Sequence, residues 1–285
     1  MARIKDYLSL VVFSHTIFAM PFALIGFFLA IRYSHCPFSW LTLLLCLVCM
    51  VLARNAAMGF NRWADRHLDG KNPRTAQREI PKGIISGNSA LAFSMINAGL
   101  FVVVAGLINH LCFSLSPVAL IIVLGYSYTK RFTWLCHLIL GLGLAIAPIG
   151  AYIAISGQFH WLPLMISGIV LTWVGGFDII YALQDAQFDK SNGYYSIPSK
   201  VGIRNALVIS IILHFICFTL VITAGILAGF GLLFWIGTGL FTALLIYQHL
   251  IVKPDDLSRV NRAFGTTNGI ASVIFALFAI ISLYV

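Results

Sequence analysis

Apolar residues in this chain come in long unbroken runs, and the polar residues collect between them. The runs fall at about Tyr7–Ala30, Phe38–Phe60, Ser89–Ile108, Cys112–Thr129, Trp134–Ser156, Trp161–Leu183, Ala206–Leu227, Gly231–Ile251 and Phe264–Val285. A surface helix would instead alternate its apolar positions at three- and four-residue intervals. Most runs reach the roughly 20 residues that cross a ~30 Å hydrocarbon layer, so the pattern predicts an all-α integral membrane protein, a bundle of nine transmembrane helices in one domain over residues 1–285. The third and fourth runs nearly touch, which makes their boundary the hardest to read. Pro21 predicts a kink in the first span, and His15 is an ionisable group inside it, read first as a packing histidine.

Composition agrees: 60% of the 285 residues are hydrophobic and 9% charged, far from the soluble range. The charges then orient the bundle. Of 18 Lys and Arg, only Arg32 falls on one side of a nine-span arrangement and Arg54 inside a span; the other 16 share the opposite side. By the positive-inside rule that side is cytoplasmic and holds the N-terminus, and the C-terminus is outside. The net charge of +9 follows from this asymmetry and calls for no nucleic-acid partner. The first run is longer than a signal-peptide core, and no cleaved leader is expected. The six cysteines have no metal-ligand spacing at a loop and are expected to pack.

Chemistry concentrates at two cytoplasmic ends. In RNAAMGFNRWADRHLDGKNPRTAQREIP, Asn61, Asp65 and Asp69 are four residues apart. On a helix they span roughly 80° of arc, with Arg54 on the same face about 10 Å deeper. In DIIYALQDAQFDKSNGYYSIP the spacing recurs at Tyr181, Asp185 and Asp189, with Asp178 deeper, and each block leads into a basic loop containing Ile-Pro. Two such acidic ends facing a central cavity suit a divalent cation and a diphosphate. Asn and Asp oxygens without soft ligands select Mg²⁺, with Asn61, Asp65, Asp69, Asp185 and Asp189 as its ligands. Lys71, Arg74 and Arg78 are candidates to hold phosphate, as are Tyr126, Lys130 and Tyr181. Asp178, too deep to stand idle, is expected near a metal or a base. Gly175-Gly176 predicts a close helix approach beside it, and Asn268 reads as structural.

At the mouth of an apolar bundle, a diphosphate with a lipid tail is the expected substrate. Mg²⁺ and basic residues would assist departure of diphosphate from an allylic carbon, and aromatic faces such as Phe60, Tyr126, Phe177 and Tyr181 would shelter the cation. The buried Arg54 asks for an anion, which an aromatic acid supplies, with Asn61 beside it on the acceptor side.

With N-x3-D-x3-D at Asn61, Asp65 and Asp69, D-x2-Y-x3-D-x3-D at Asp178, Tyr181, Asp185 and Asp189, and Y-x3-K at Tyr126 and Lys130, the chain resembles the UbiA superfamily of membrane prenyltransferases, especially its 4-hydroxybenzoate polyprenyltransferase branch. The resemblance implies Mg²⁺-dependent transfer of a polyprenyl group from polyprenyl diphosphate to an aromatic acid for quinone biosynthesis, in a bacterial cytoplasmic membrane. The Asp65, Asp69, Asp178, Asp185 and Asp189 carboxylates would then be catalytic, and Arg54 would lie near the acceptor. The acceptor it implies is 4-hydroxybenzoate or, for a menaquinone-type sub-branch, 1,4-dihydroxy-6-naphthoate. An anion transporter is the rival of another class, although it needs no paired acidic motifs. An alcohol phosphotransferase would need a DG-x2-AR signature, which Asp69-Gly70-Lys71-Asn72-Pro73-Arg74 does not match.

Overall fold

A computed structural model describes residues 3–11 and 18–285. No strand forms among them, and eight helical segments are long and apolar enough to cross a membrane. A shorter apolar helix, Met20–Tyr33, takes the place of the first expected span. The protein is a multi-pass membrane protein. Its residues divide into two compact units, Met1–Thr16 with Trp40–Tyr128, and Ile17–Ser39 with Thr129–Val285.

The first unit holds α1 (Ile4–Leu10), α3 (Trp40–Ala64), α4 (Arg66–Lys71), α5 (Gly87–Ile108) and α6 (His110–Thr129). Gly59 lets α3 approach α5: a Cβ there would crowd Phe93 and Ser94. Two polar contacts seal the seam, Ser94 Oγ to the Ala56 carbonyl at 2.6 Å and Asn55 Nδ2 to Asn97 Oδ1 at 3.1 Å. In an apolar setting such bonds have no water to compete with them. Ser86 caps α5 by accepting from the Ser89 N–H. Asn109 alone separates α5 from α6, and its side chain accepts from the Cys112 N–H at 2.8 Å.

The second unit holds α2 (Met20–Tyr33), α7 (Cys136–Ser156), α8 (Trp161–Ala182), a 3-10 turn at Leu183–Asp185, α9 (Ala186–Ser191), α10 (Ile197–Leu227), α11 (Leu232–Ile251), a π-helical stretch at Arg262–Thr267 and α12 (Asn268–Ile281). Its core is aromatic, with Phe22, Trp173, Phe177, Phe234, Phe241 and Phe275 all buried. Within the first apolar run α1 closes at Leu10, and α2 opens with Pro21 in its first turn. Pro21 starts a helix here and does not kink one, because a first-turn residue has no intrahelical N–H bond to lose. His15 lies outside the described residues.

The glycine pair does what its sequence implies. A Cβ on Gly175 would press on Leu138 of α7, and one on Gly176 would collide with the His214 ring of α10. His214 Nε2 donates to the Trp173 carbonyl at 3.2 Å, which leaves its Nδ1 to accept from His249 Nε2 at 2.7 Å. Asn268 is a structural knot: its Oδ1 accepts from Trp173 Nε1 at 3.1 Å and its Nδ2 donates to the Ala263 carbonyl at 2.9 Å. The cysteines are free, and Cys46, Cys49, Cys136 and Cys217 are buried.

Candidate active site

In the first unit the helix breaks within the acidic motif: α3 ends at Ala64, the short α4 restarts at Arg66, and Asp65 stands between them. The Asp65 N–H donates to the Asn61 carbonyl at 2.9 Å and the Asp69 N–H to the Asp65 carbonyl at 2.7 Å, so four-residue hydrogen bonds carry the spacing across the break. Asn61 Nδ2 lies 3.4 Å from Asp65 Oδ2, at the outer edge of a hydrogen bond. Asp65 and Asp69 are 3% and 4% exposed, which for two carboxylates demands compensation. Arg78 returns along the basic loop and pairs with Asp69 Oδ1 at 2.7 Å. Asp69 Oδ2 is equally buried and has no hydrogen-bond partner among the described residues. Thr75 Oγ1 fixes the loop on the Asp69 carbonyl at 3.1 Å, and Asn72 Oδ1 accepts from the Arg74 N–H at 3.0 Å. Lys71 and Arg74 are exposed, and Arg78 is half-buried where it pairs with Asp69.

Arg54 donates to the Val11 carbonyl at 3.2 Å, and Arg62 reaches the Leu10 carbonyl at 3.4 Å. The two guanidinium groups thus meet the carbonyl-rich end of α1, a favourable place for positive charge. Arg62 had been read only as a topology charge. The packing of Leu10 with Ile85 and Ala90, and the hydrogen bond from Ser9 to Glu79, hold α1 on the loop that follows the motif. Phe60 meets Trp63 and Tyr128 at ring-centroid distances of 5.4 and 5.7 Å, and Tyr126 lies on the last turn of α6.

The second unit breaks its helix at the corresponding place, through a tighter turn. After α8 the chain tightens into the 3-10 turn ending at Asp185, and α9 restarts with Asp189 in its first turn. Asp185 and Asp189 are half-buried, in contrast to the first motif. Lys130 stands beside this motif: its carbonyl accepts from the Tyr195 N–H at 2.8 Å, and its ammonium lies 5.9 Å from the Tyr194 ring. Tyr181 stacks on Phe264 at 4.2 Å, and Phe264 meets Phe18 and Phe177 at 5.5 Å each, which forms one aromatic wall. Phe264 sits in the π-helical stretch, a feature that sequence periodicity does not reveal.

Asp178 has a base for a partner, as its depth implied. His137 Nδ1 is 2.7 Å from Asp178 Oδ2, and the Ile197 N–H donates to His137 Nε2 at 3.3 Å. Sequence reading missed His137. The rule applied to His15, that an ionisable group inside a span deserves suspicion, would have found it.

The donor set of both motifs fits a hard cation. Among the described residues, no three His, Cys, Asp or Glu side chains gather closely enough to hold a metal by themselves. Mg²⁺ takes oxygen ligands of this kind and retains waters beside one or two carboxylates.

A family model described as the UbiA prenyltransferase family matches residues 19–280. Among curated relatives, the 4-hydroxybenzoate octaprenyltransferase of Aliivibrio fischeri is 28% identical over 86% of this chain and 85% of its own. The protein of that description from Nitrosospira multiformis is 31% identical over 79% and 78%. Among solved structures, the apo UbiA homolog from Aeropyrum pernix superposes with a TM-score of 0.85 at 31% identity, covering 99% of both chains. The UbiA homolog from Archaeoglobus fulgidus bound to DMAPP and Mg²⁺ shares the fold, with a TM-score of 0.75 at 21% identity over 98% and 99%.

Proposed function

Because the chain belongs to the UbiA prenyltransferase family, we propose that it transfers a polyprenyl group from a polyprenyl diphosphate to the ring of 4-hydroxybenzoate in quinone biosynthesis. It is an enzyme, a membrane prenyltransferase, and the anion-transporter reading falls with that membership. The names of its curated relatives support both the acceptor and an octaprenyl donor.

The observation that carries the reading is Asp69. One of its oxygens is neutralised by Arg78, and the other, just as buried, has no partner among the described residues. A buried unmatched carboxylate oxygen costs about 1–3 kcal/mol or more, and a cation removes that cost. When bound, Mg²⁺ supplies charge neutralisation to the departing diphosphate. Asn61, Asp65, Asp69, Asp185 and Asp189 are its proposed ligands. Arg78, Tyr126, Lys130 and Tyr181 are proposed for the diphosphate, with the exposed Lys71 and Arg74 at its outer side.

Phe177, Tyr181 and Phe264 offer ring faces to the allylic cation and keep water from it. In 4-hydroxybenzoate the position para to the hydroxyl is occupied, so the new bond forms at an ortho carbon. Arg54 and Asn61 are proposed for the acceptor, Arg54 through the acceptor's carboxylate. The family match spans most of the chain, which supports one catalytic domain built from both units. The distribution of Lys and Arg supports cytoplasmic motifs, in a bacterial inner membrane.

The test is a membrane assay with labelled polyprenyl diphosphate and Mg²⁺, supplied with 4-hydroxybenzoate or 1,4-dihydroxy-6-naphthoate. Prenylated benzoate is expected. Product from the naphthoate alone moves the enzyme to menaquinone synthesis. Product from neither, beside an active control enzyme, overturns the proposed acceptor class.

A further inference from the structure

We propose that His137 is a positioning residue for prenyl transfer, and that the Asp178 carboxylate it orients is the base for the acceptor's hydroxyl proton. The proposal rests on the aromatic prenyl-transfer reading above.

The argument begins with protons. The Ile197 backbone N–H can only donate, so His137 Nε2 accepts and bears no hydrogen. On a neutral ring the proton is then on Nδ1, where it donates to Asp178 Oδ2 at 2.7 Å. His137 is held at both ends and is itself 3% exposed, whereas the Asp178 side chain keeps 18% exposure. The imidazole thus spends its one donor on fixing a carboxylate that still reaches open space. A carboxylate oriented by one neighbour and open toward a ligand is the arrangement a general base requires.

Position separates Asp178 from the cation site. It precedes Asp185 by seven residues, roughly 10 Å along a helix axis, and therefore lies below Asp185 and Asp189, the proposed cation ligands of this motif. Tyr181, one turn on, carries the stacked Phe264 wall.

The step balances as follows. The allylic C–O bond of the donor breaks, with its electron pair leaving on the diphosphate. The ring carbon ortho to the hydroxyl supplies the pair for the new C–C bond while the hydroxyl proton passes to Asp178. The dienone so formed loses its ring proton to the oxygen and becomes aromatic again. The proton on Asp178 is the one released to water in each turnover.

A buried histidine with two hydrogen bonds could be structural only, and the experiment separates the two roles. Steady-state kinetics would be measured on the full-length enzyme in nanodiscs, with donor and acceptor varied separately and melting temperature followed alongside. Asp178→Asn is expected to lower kcat with the acceptor about 100-fold, with donor KM within twofold. His137→Asn can still donate from near the Nδ1 position and is expected to keep kcat within about threefold. His137→Gln, whose amide reaches toward the Nε2 position, is expected to lose roughly tenfold or more. Added to Asp178→Asn, His137→Gln is expected to cost nothing further, because the two act as one unit.

Wild-type kcat in Asp178→Asn overturns the proposal. So does loss in His137→Asn equal to that in His137→Gln, or multiplied losses in the double variant, either of which would mark His137 as packing. Failure of the wild-type enzyme to prenylate either aromatic acid is a different result, and it overturns the prenyl-transfer reading itself.

Discussion

The two acidic motifs share a spacing and a helix break, each with its middle aspartate ahead of a six-residue helix, and differ in burial and in partners. In the first, Asp65 stands between two helices, both it and Asp69 are buried, and a loop returns to place Arg78 on one of them. In the second, a 3-10 turn interrupts the helix, Asp185 and Asp189 stay half-buried, and the polar partner acts two turns deeper, on Asp178. The repeat in sequence is thus a repeat in backbone and not in surroundings. The first motif ties its carboxylates into the packing, and the second leaves them half-buried.

The sharpest way to break this contrast is a matched pair of deletions. Asp185→Ala is expected to reduce turnover by 100-fold or more, on the order of what loss of a principal charge-stabilising group costs, with little change in melting temperature. Asp65→Ala is expected to lose as much turnover and to lower melting temperature too. Robust activity in either variant would remove that motif from the site. Chelation of divalent cations should abolish activity, and added Mg²⁺ should restore it; full turnover in excess chelator would sink the cation reading for both motifs.

Next in size is Arg78→Ala, which leaves the nearly buried Asp69 charge uncompensated. Breaking such a pair costs about 2–3 kcal/mol after allowance for the part-exposed arginine, readable as a lower unfolding temperature in detergent. An unchanged temperature would mean that the ion pair does not stabilise the first motif. Arg54→Ala is expected to raise acceptor KM several-fold more than donor KM, and a donor-only effect would move Arg54 to the diphosphate. Smallest for chemistry is Gly176→Ala, whose methyl meets the His214 ring. About 1–3 kcal/mol of destabilisation is expected, with kcat nearly unchanged in the folded fraction.

Much of the fold was legible because a bilayer leaves few choices. Ile108, Thr129, Ser156, Leu227 and Ile251 end helices where their apolar runs end. Less legible was the first run, where composition stays apolar from Tyr7 to Ala30 while α1 ends at Leu10 and α2 begins at Met20. Hydropathy reports the surroundings of a segment, not the continuity of its hydrogen bonds. In the candidate site the carboxylates were legible from spacing. The residues that tune them were not: His137 is 41 positions from Asp178. Arg62 and Phe264 likewise act through contacts that no local period encodes.

The π-helical stretch at Arg262–Thr267 carries one residue more than an α-helical path would need. Like an extra tooth on a gear, it offsets the face before it from the face after it by roughly 100°. Phe264 can therefore aim at Tyr181 while Phe275 and Ala279 keep their own heading toward the core of the second unit. Removing a residue there would re-time the aromatic wall against α12 without altering a single side chain in either. The aim of the wall and the packing of the bundle are separately adjustable, and a change in sequence length is the dial.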